Sequence, residues 1–135
     1  MRAPIYFKQT ILKKMVKLTE LDKIGYSDSG YTYEYFHERM GRHLILFRKA
    51  GSISGNHYHK GLSLNKNPEI LVLLSGVATL SYKEVQGGVM KSVQLSVPTQ
   101  IEISPYIWHE LYCHTDCTLI ELCSISEHEA DTFKD

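Results

Sequence analysis

The stretch Gly55-Asn56-His57-Tyr58-His59 places two histidines one residue apart in a run with strand character. Side chains at i and i+2 of a strand leave from the same face. On a strand, His57 and His59 therefore stand side by side and can grip one ion or one substrate. In a loop the spacing carries no such meaning. A carboxylate at Glu69 and a third imidazole at His109 follow further along the chain. A neutral imidazole with a pKa near neutrality can ligate a metal or take a proton. The two roles compete, because a nitrogen bonded to a metal cannot also accept a proton.

The other reactive side chains read more plainly. The three cysteines, Cys113, Cys117 and Cys123, are an odd number with no Cys-x-x-Cys spacing. That argues against a disulfide framework or a zinc finger and for a reduced, cytoplasmic setting. They are expected as small apolar residues on strands. Cys113 shares a face with His109 and Leu111 by period two, and Glu121 shares one with Cys123. His37, His43, His114 and His128 are expected at the surface or at strand edges. Tyr31, Tyr33 and Tyr35 are expected in a core or an interface. Lys plus Arg equal Asp plus Glu at 15 each, with no basic block and no acidic tail. Nucleic acid is therefore not an expected partner. The longest apolar run, Ile70 to Leu74, is far too short to cross a membrane. The first residues hold no long apolar stretch, so no secretory signal is expected.

These side chains need elements to hold them. Ile11, Leu12, Met15, Val16 and Leu18 suit a short amphipathic helix or an extended arm. From residue 31 the pattern turns to short apolar or alternating runs. YTYEYF, HLILF, GNHYH, EILVLLSG, VATLSYK, VMKSVQL, QIEI, WHELYCH and CTLIELCS follow one another, separated by Gly, Pro or Asn. VQGG is a hairpin turn, and EHEADTFKD suits one helical turn. Strands at such spacing predict an antiparallel sandwich or barrel. No repeat or long linker divides the 135 residues, so one domain is expected over 1–135, with a barrel core at about 26–125 and an arm at 1–25.

In this frame Gly51, His57 and His59 form G(x)5HxH, and Glu69 with Gly76 forms E(x)6G. SPYIWH then brings His109 after Pro105. The pattern resembles the cupin superfamily over roughly residues 41–125. The resemblance implies an all-β jelly-roll barrel of two antiparallel sheets, with a short N-terminal arm or helix. It also implies that His57, His59, Glu69 and His109 converge as ligands of a divalent transition metal. Three imidazoles and a carboxylate suit zinc, iron, manganese or nickel. The chain departs from the family in the connection from His59 to Glu69, which is longer than the usual three or four residues. The extra length, at 60–68, is expected to cover the cavity entrance and influence ligand choice.

Two closer resemblances bear on function. GNHYHK with NKNPEILVLLSG resembles the cupin domain of capsular-polysaccharide reductases. ISPYIWHELYCHTDCTLIELCS with EADTFKD resembles nucleotide-sugar 3,4-ketoisomerases. Both imply proton movement beside a sugar carbonyl, with His57 and His59 as base and acid if they are not metal ligands. Where the ketoisomerases carry an arginine before HxH, this chain has Ser54-Gly55-Asn56. Arg42, Arg48, Lys60 and Lys66 are the cations available to a phosphate-bearing substrate. The expected function is a metal-binding isomerase or epimerase of a sugar or sugar nucleotide, acting as a homodimer. A metal-dependent dioxygenase and a non-catalytic ligand-binding barrel are the alternatives.

Overall fold

The structure, a computed structural model, describes residues 15–135. Strands β1 (Val16–Glu20), β2 (Asp22–Ser27), β3 (Gly30–Glu34), β4 (Leu44–Arg48), β5 (Ile53–His57) and β6 (Glu69–Ser75) form the first half. Strands β7 (Ala78–Glu84), β8 (Lys91–Leu95), β9 (Thr99–Ile103), β10 (Ile107–Cys113) and β11 (Cys117–Glu121) follow, and helix α1 (Ile125–Ala130) comes last. One sheet runs β1-β9-β6-β11-β4, the second β5-β10-β7-β8, and β2 and β3 form a separate ribbon. Every pairing between these strands is antiparallel. The result is the expected all-β jelly-roll barrel of two antiparallel sheets. Among the described residues, no helix is long and apolar enough to cross a membrane.

The expected arm is a strand where it is described. Val16 to Glu20 pairs with β9, in register Val16↔Ile103 to Glu20↔Thr99. The sheet offers main-chain partners, which favours the extended alternative over the helix. The remainder of the proposed helix and arm, residues 1–14, lies outside the described residues. Tyr31 on β3 and Tyr35 just past its end are exposed and Tyr33 is half-buried, so none of the three is in the buried core.

Period-two alternation drives the packing. Leu71 and Leu73 on β6, Ile101 and Ile103 on β9, Leu111 and Cys113 on β10, and Cys117 and Leu119 on β11 share one buried cluster. Burying each large aliphatic side chain contributes about 1.5–3 kcal/mol. Cys113 is packed in this core, as expected of a small apolar residue, and all three cysteines are free thiols. The same alternation sets up the site. The inward row of β6 begins at Glu69, that of β10 includes His109, and that of β11 ends at Glu121. Glu121 stands opposite Leu71, so these polar residues gather at one end of the apolar rows.

Candidate functional site

The site lies where β5, β6, β10 and β11 bring these ends together. His57, the last residue of β5, stands opposite His109 on β10. His59 lies past the strand end. Its predecessor Tyr58 bridges Phe133 through two backbone hydrogen bonds of 2.9 Å each. That extension keeps the two-residue alternation, so the His57 and His59 rings still meet, with centroids 4.9 Å apart. Gly55 makes the approach of β5 to β10 achievable. Its φ is +93°, and an added Cβ would lie 2.8 Å from the His109 carbonyl oxygen. Only glycine takes that conformation at so close a contact without strain.

His57, His59, Glu69 and His109 do converge, with their ligand-type atoms all within 4.8 Å of one another. His59 Nε2 touches Glu69 Oε1 directly, and His109 Nε2 lies 3.5 Å from the same oxygen. Beyond each other, these three buried atoms have no hydrogen-bond partner. The opposite ring nitrogens are fixed by backbone carbonyls. His59 Nδ1 donates to the Asp131 oxygen at 2.6 Å, and His109 Nδ1 donates to the Ile107 oxygen at 3.0 Å. A carbonyl can only accept, so each Nδ1 carries a proton. Any hydrogen bond from Nε2 to Glu69 therefore needs a further proton on the ring.

The electrostatics agree. Burial alone would lower the His109 pKa, but the Glu69 charge and hydrogen bond raise it. Burial alone would raise Glu69, yet the His109 charge, with hydrogen bonds from His109 and His59, holds it well below the usual carboxylate range. His57 behaves oppositely. Burial first, then the neighbouring His109 charge, push its pKa down to about 3. His57 is therefore a neutral imidazole beside a charged pair.

Sequence reasoning missed three further participants. Lys66, taken as a rim cation, is completely buried. Its Nζ lies 2.5 Å from Glu121 Oε2, 2.9 Å from His128 Nδ1 and 3.5 Å from Glu69 Oε1. Burial opposes its charge, but Glu69 and Glu121 together raise its pKa. His128, expected at the surface, lines the cavity instead. It follows Ser124 and Glu127, which form a reciprocal capping box at the start of α1. That Ser-x-x-Glu signal was legible and places His128 on α1, four residues after the Ser124 cap. Asp131 is also fully buried, and its carboxylate accepts N–H bonds from Lys60, Leu62 and Ser63 at 2.7, 2.7 and 3.2 Å. Nothing in local sequence marks either Lys66 or Asp131 as buried.

The 60–68 connection, expected to cover the entrance in part, is tied to the C-terminal segment. Asp131 and Glu127 bind its backbone and side chains from the C-terminal segment, and Lys66 projects inward behind Glu69.

A cavity of about 350 Å³ opens from the site. It lies beside β4 and β5, each the edge strand of its sheet. His57, Glu69, His109, Glu121 and His128 line one end, while Leu46, Leu71, Leu80 and Leu119 form apolar wall. Arg48 and Ser54 line it from the two edge strands, and Arg48 Nε donates to Ser54 Oγ at 2.9 Å. Of the four cations expected near a substrate, Arg48 alone lines this space. Lys60 instead lies over the Phe133 ring, 4.1 Å from its centroid.

The fold and this polar end define the architecture of a cupin-type jelly-roll barrel. Several solved structures share it. QdtA, a sugar 3,4-ketoisomerase from Thermoanaerobacterium thermosaccharolyticum in complex with TDP, superposes with a TM-score of 0.67 at 20% identity, covering 92% of this chain and 90% of that one. A mutant of the same ketoisomerase, in complex with TDP-4-keto-6-deoxyglucose, gives 0.66 at 18% identity over 92% of this chain and 90% of that one. The dTDP-6-deoxy-D-glucose-3,5-epimerase RmlC from Legionella pneumophila Philadelphia 1, in complex with dTDP-4-keto-L-rhamnose, gives 0.64 at 17% identity, covering 89% and 72%. No family model matches the sequence, and no curated protein matches it. The neighbours side with the ketoisomerase resemblance and lend none to the capsular-polysaccharide reductases.

They also correct the expected divalent transition metal, whether zinc, iron, manganese or nickel. Sugar-nucleotide isomerases and epimerases of this architecture are typically metal-independent. The local chemistry gives a reason. Glu69, the one carboxylate of the expected ligand set, already faces the Lys66 ammonium and the His109 ring, whose pKa it raises. A dication on the same oxygen would be repelled by that ammonium. The expected ligands instead form a buried His–Glu contact group, and the metal-dependent dioxygenase reading falls with the metal.

Proposed function

We propose that the protein is an isomerase or epimerase of a nucleotide sugar, moving a proton on the carbon next to a sugar carbonyl. The observation that carries this reading is His57. It is a neutral imidazole at the wall of a cavity, beside the buried group of His59, Glu69 and His109. His57 takes the proton from the carbon next to the carbonyl. The C–H electron pair becomes a C=C bond, and the carbonyl pair moves onto oxygen. Return of a proton to the same carbon from the other face gives an epimer. Return to the former carbonyl carbon, as the proton of the adjacent hydroxyl passes to the enolate oxygen, gives the isomeric ketone. Neither outcome changes the overall oxidation level. In the empty cavity His57 is a weak base, and the negative charge of a bound diphosphate would raise its pKa toward the working range.

Arg48 supports a phosphate-bearing substrate. The ketoisomerases, by resemblance, carry an arginine just before HxH, where this chain has Ser54-Gly55-Asn56. Here the guanidinium reaches Ser54 from the neighbouring strand instead. The neighbours solved with TDP or a dTDP-sugar support the same ligand class. Three free thiols support a cytoplasmic setting. The open edge of β4, with exposed Ile45 and Phe47, supports a homodimer.

The test is proton exchange. Incubated in D2O with TDP-4-keto-6-deoxyglucose, the protein should replace the α-proton by deuterium, followed by proton NMR, and His57→Asn should abolish it. Thermal shift with dTDP and UDP should show stabilisation. Absence of both exchange and stabilisation would refute the reading, and stabilisation without exchange would leave a non-catalytic binding barrel.

A further inference from the structure

We infer that His128 is the cavity's fixed hydrogen-bond donor to the substrate carbonyl oxygen, set in that role by the buried ammonium of Lys66. The inference rests on the isomerase reading and adds a residue to it. An ammonium has protons and no lone pair, so it can only donate. Lys66 Nζ lies 2.9 Å from His128 Nδ1, and in a hydrogen bond between the two Nδ1 is the acceptor. That places the ring proton on Nε2. Glu121 Oε2, 3.1 Å from Nδ1, already receives Lys66 at 2.5 Å, so it has less need of a proton from the ring. Nε2 makes no hydrogen bond to any described residue, and the ring lines the cavity.

The position fits the chemistry. The His128 ring centroid lies 5.4 Å from that of His57 and 5.6 Å from that of His59. A base and a donor on adjacent rings can address the α-proton and the carbonyl oxygen of one substrate. As the C–H pair moves into the C=C bond, charge grows on that oxygen, and a fixed N–H aimed at it stabilises the transition state. Glu121, Cys123 and His128 also group closely enough to suggest a cation site. The cation among them is the Lys66 ammonium, which contacts both Glu121 and His128. Cys123 does not compete as an acid, because burial and the Glu121 charge push its thiol up to about 12.

Two measurements test the inference. Long-range proton–nitrogen NMR on the full chain labelled with 15N-histidine should show His128 protonated at Nε2 and bare at Nδ1. The Nδ1–H tautomer would overturn it, whatever the protein catalyses. In the deuterium exchange assay, His128→Ala should lower the rate on the order of 100-fold, the usual loss of one oxyanion donor. His128→Gln, whose amide keeps an N–H, should recover at least about tenfold of that loss. Equal rates for the two variants, with unchanged melting temperatures, would reduce His128 to a wall residue. If the wild type itself exchanges nothing, the isomerase reading falls and the donor role falls with it, while the NMR still decides the tautomer.

Discussion

Replacing Lys66 by Met is the most direct probe of how the site is held. The side chain keeps its length and apolar stem but loses the ammonium. Glu121 and Glu69, 6% and 3% exposed, then lose a cation at 2.5 and 3.5 Å. Removing one partner of a buried ion pair costs about 3–5 kcal/mol, because the other charge stays desolvated. In a chain of this size that lowers the melting temperature by about 10–20 °C. Urea unfolding at neutral pH measures the loss, and the slope m should stay unchanged, since the folded surface is the same. The double variant Lys66→Met with Glu121→Gln removes both charges and should regain most of the stability. A loss below about 1 kcal/mol for Lys66→Met would refute the argument. So would a double variant no more stable than the single one. The same logic applies to the whole 60–68 connection. Loop entropy alone would make shortening it cheap. The lost Lys66 contacts and the lost bonds to Asp131 outweigh that term.

Three other outcomes follow from the geometry. Asp131→Ala strands the N–H groups of Lys60, Leu62 and Ser63 and should cost about 3 kcal/mol or more in chemical denaturation, while Asp131→Asn should cost less. His57 has a folded pKa near 3 against 6.5 when unfolded, so the unfolded chain binds the extra proton between those values and stability falls as pH drops through that window. His57→Asn should flatten the melting-temperature profile between pH 6 and about 4.5, above the range where Glu69 begins to take a proton; an unchanged slope would contradict a buried neutral His57. Gly55→Ala meets the His109 carbonyl at 2.8 Å with φ at +93°, and should cost about 1–3 kcal/mol and slow exchange by displacing β5 from β10.

The barrel was legible because alternation and turn residues act locally. EILVLLSG, VATLSYK and WHELYCH became β6, β7 and β10 almost as read. The convergence of His57, His59, Glu69 and His109 was what the cupin resemblance implied, and period two on β5, β6 and β10 turns these side chains inward. Local sequence could not reveal what sign of charge would surround Glu69. Lys66 looks like any loop lysine until tertiary packing removes it from water and places it between two carboxylates. His128 and Asp131 lie far along the chain from His59, and only the return of the C-terminal segment across Tyr58 brings them to it. The residue types along the chain determined a barrel with imidazoles at one end. Tertiary contacts decided which groups hold protons there, because burial and neighbouring charge, rather than residue identity, set the protonation of a buried group.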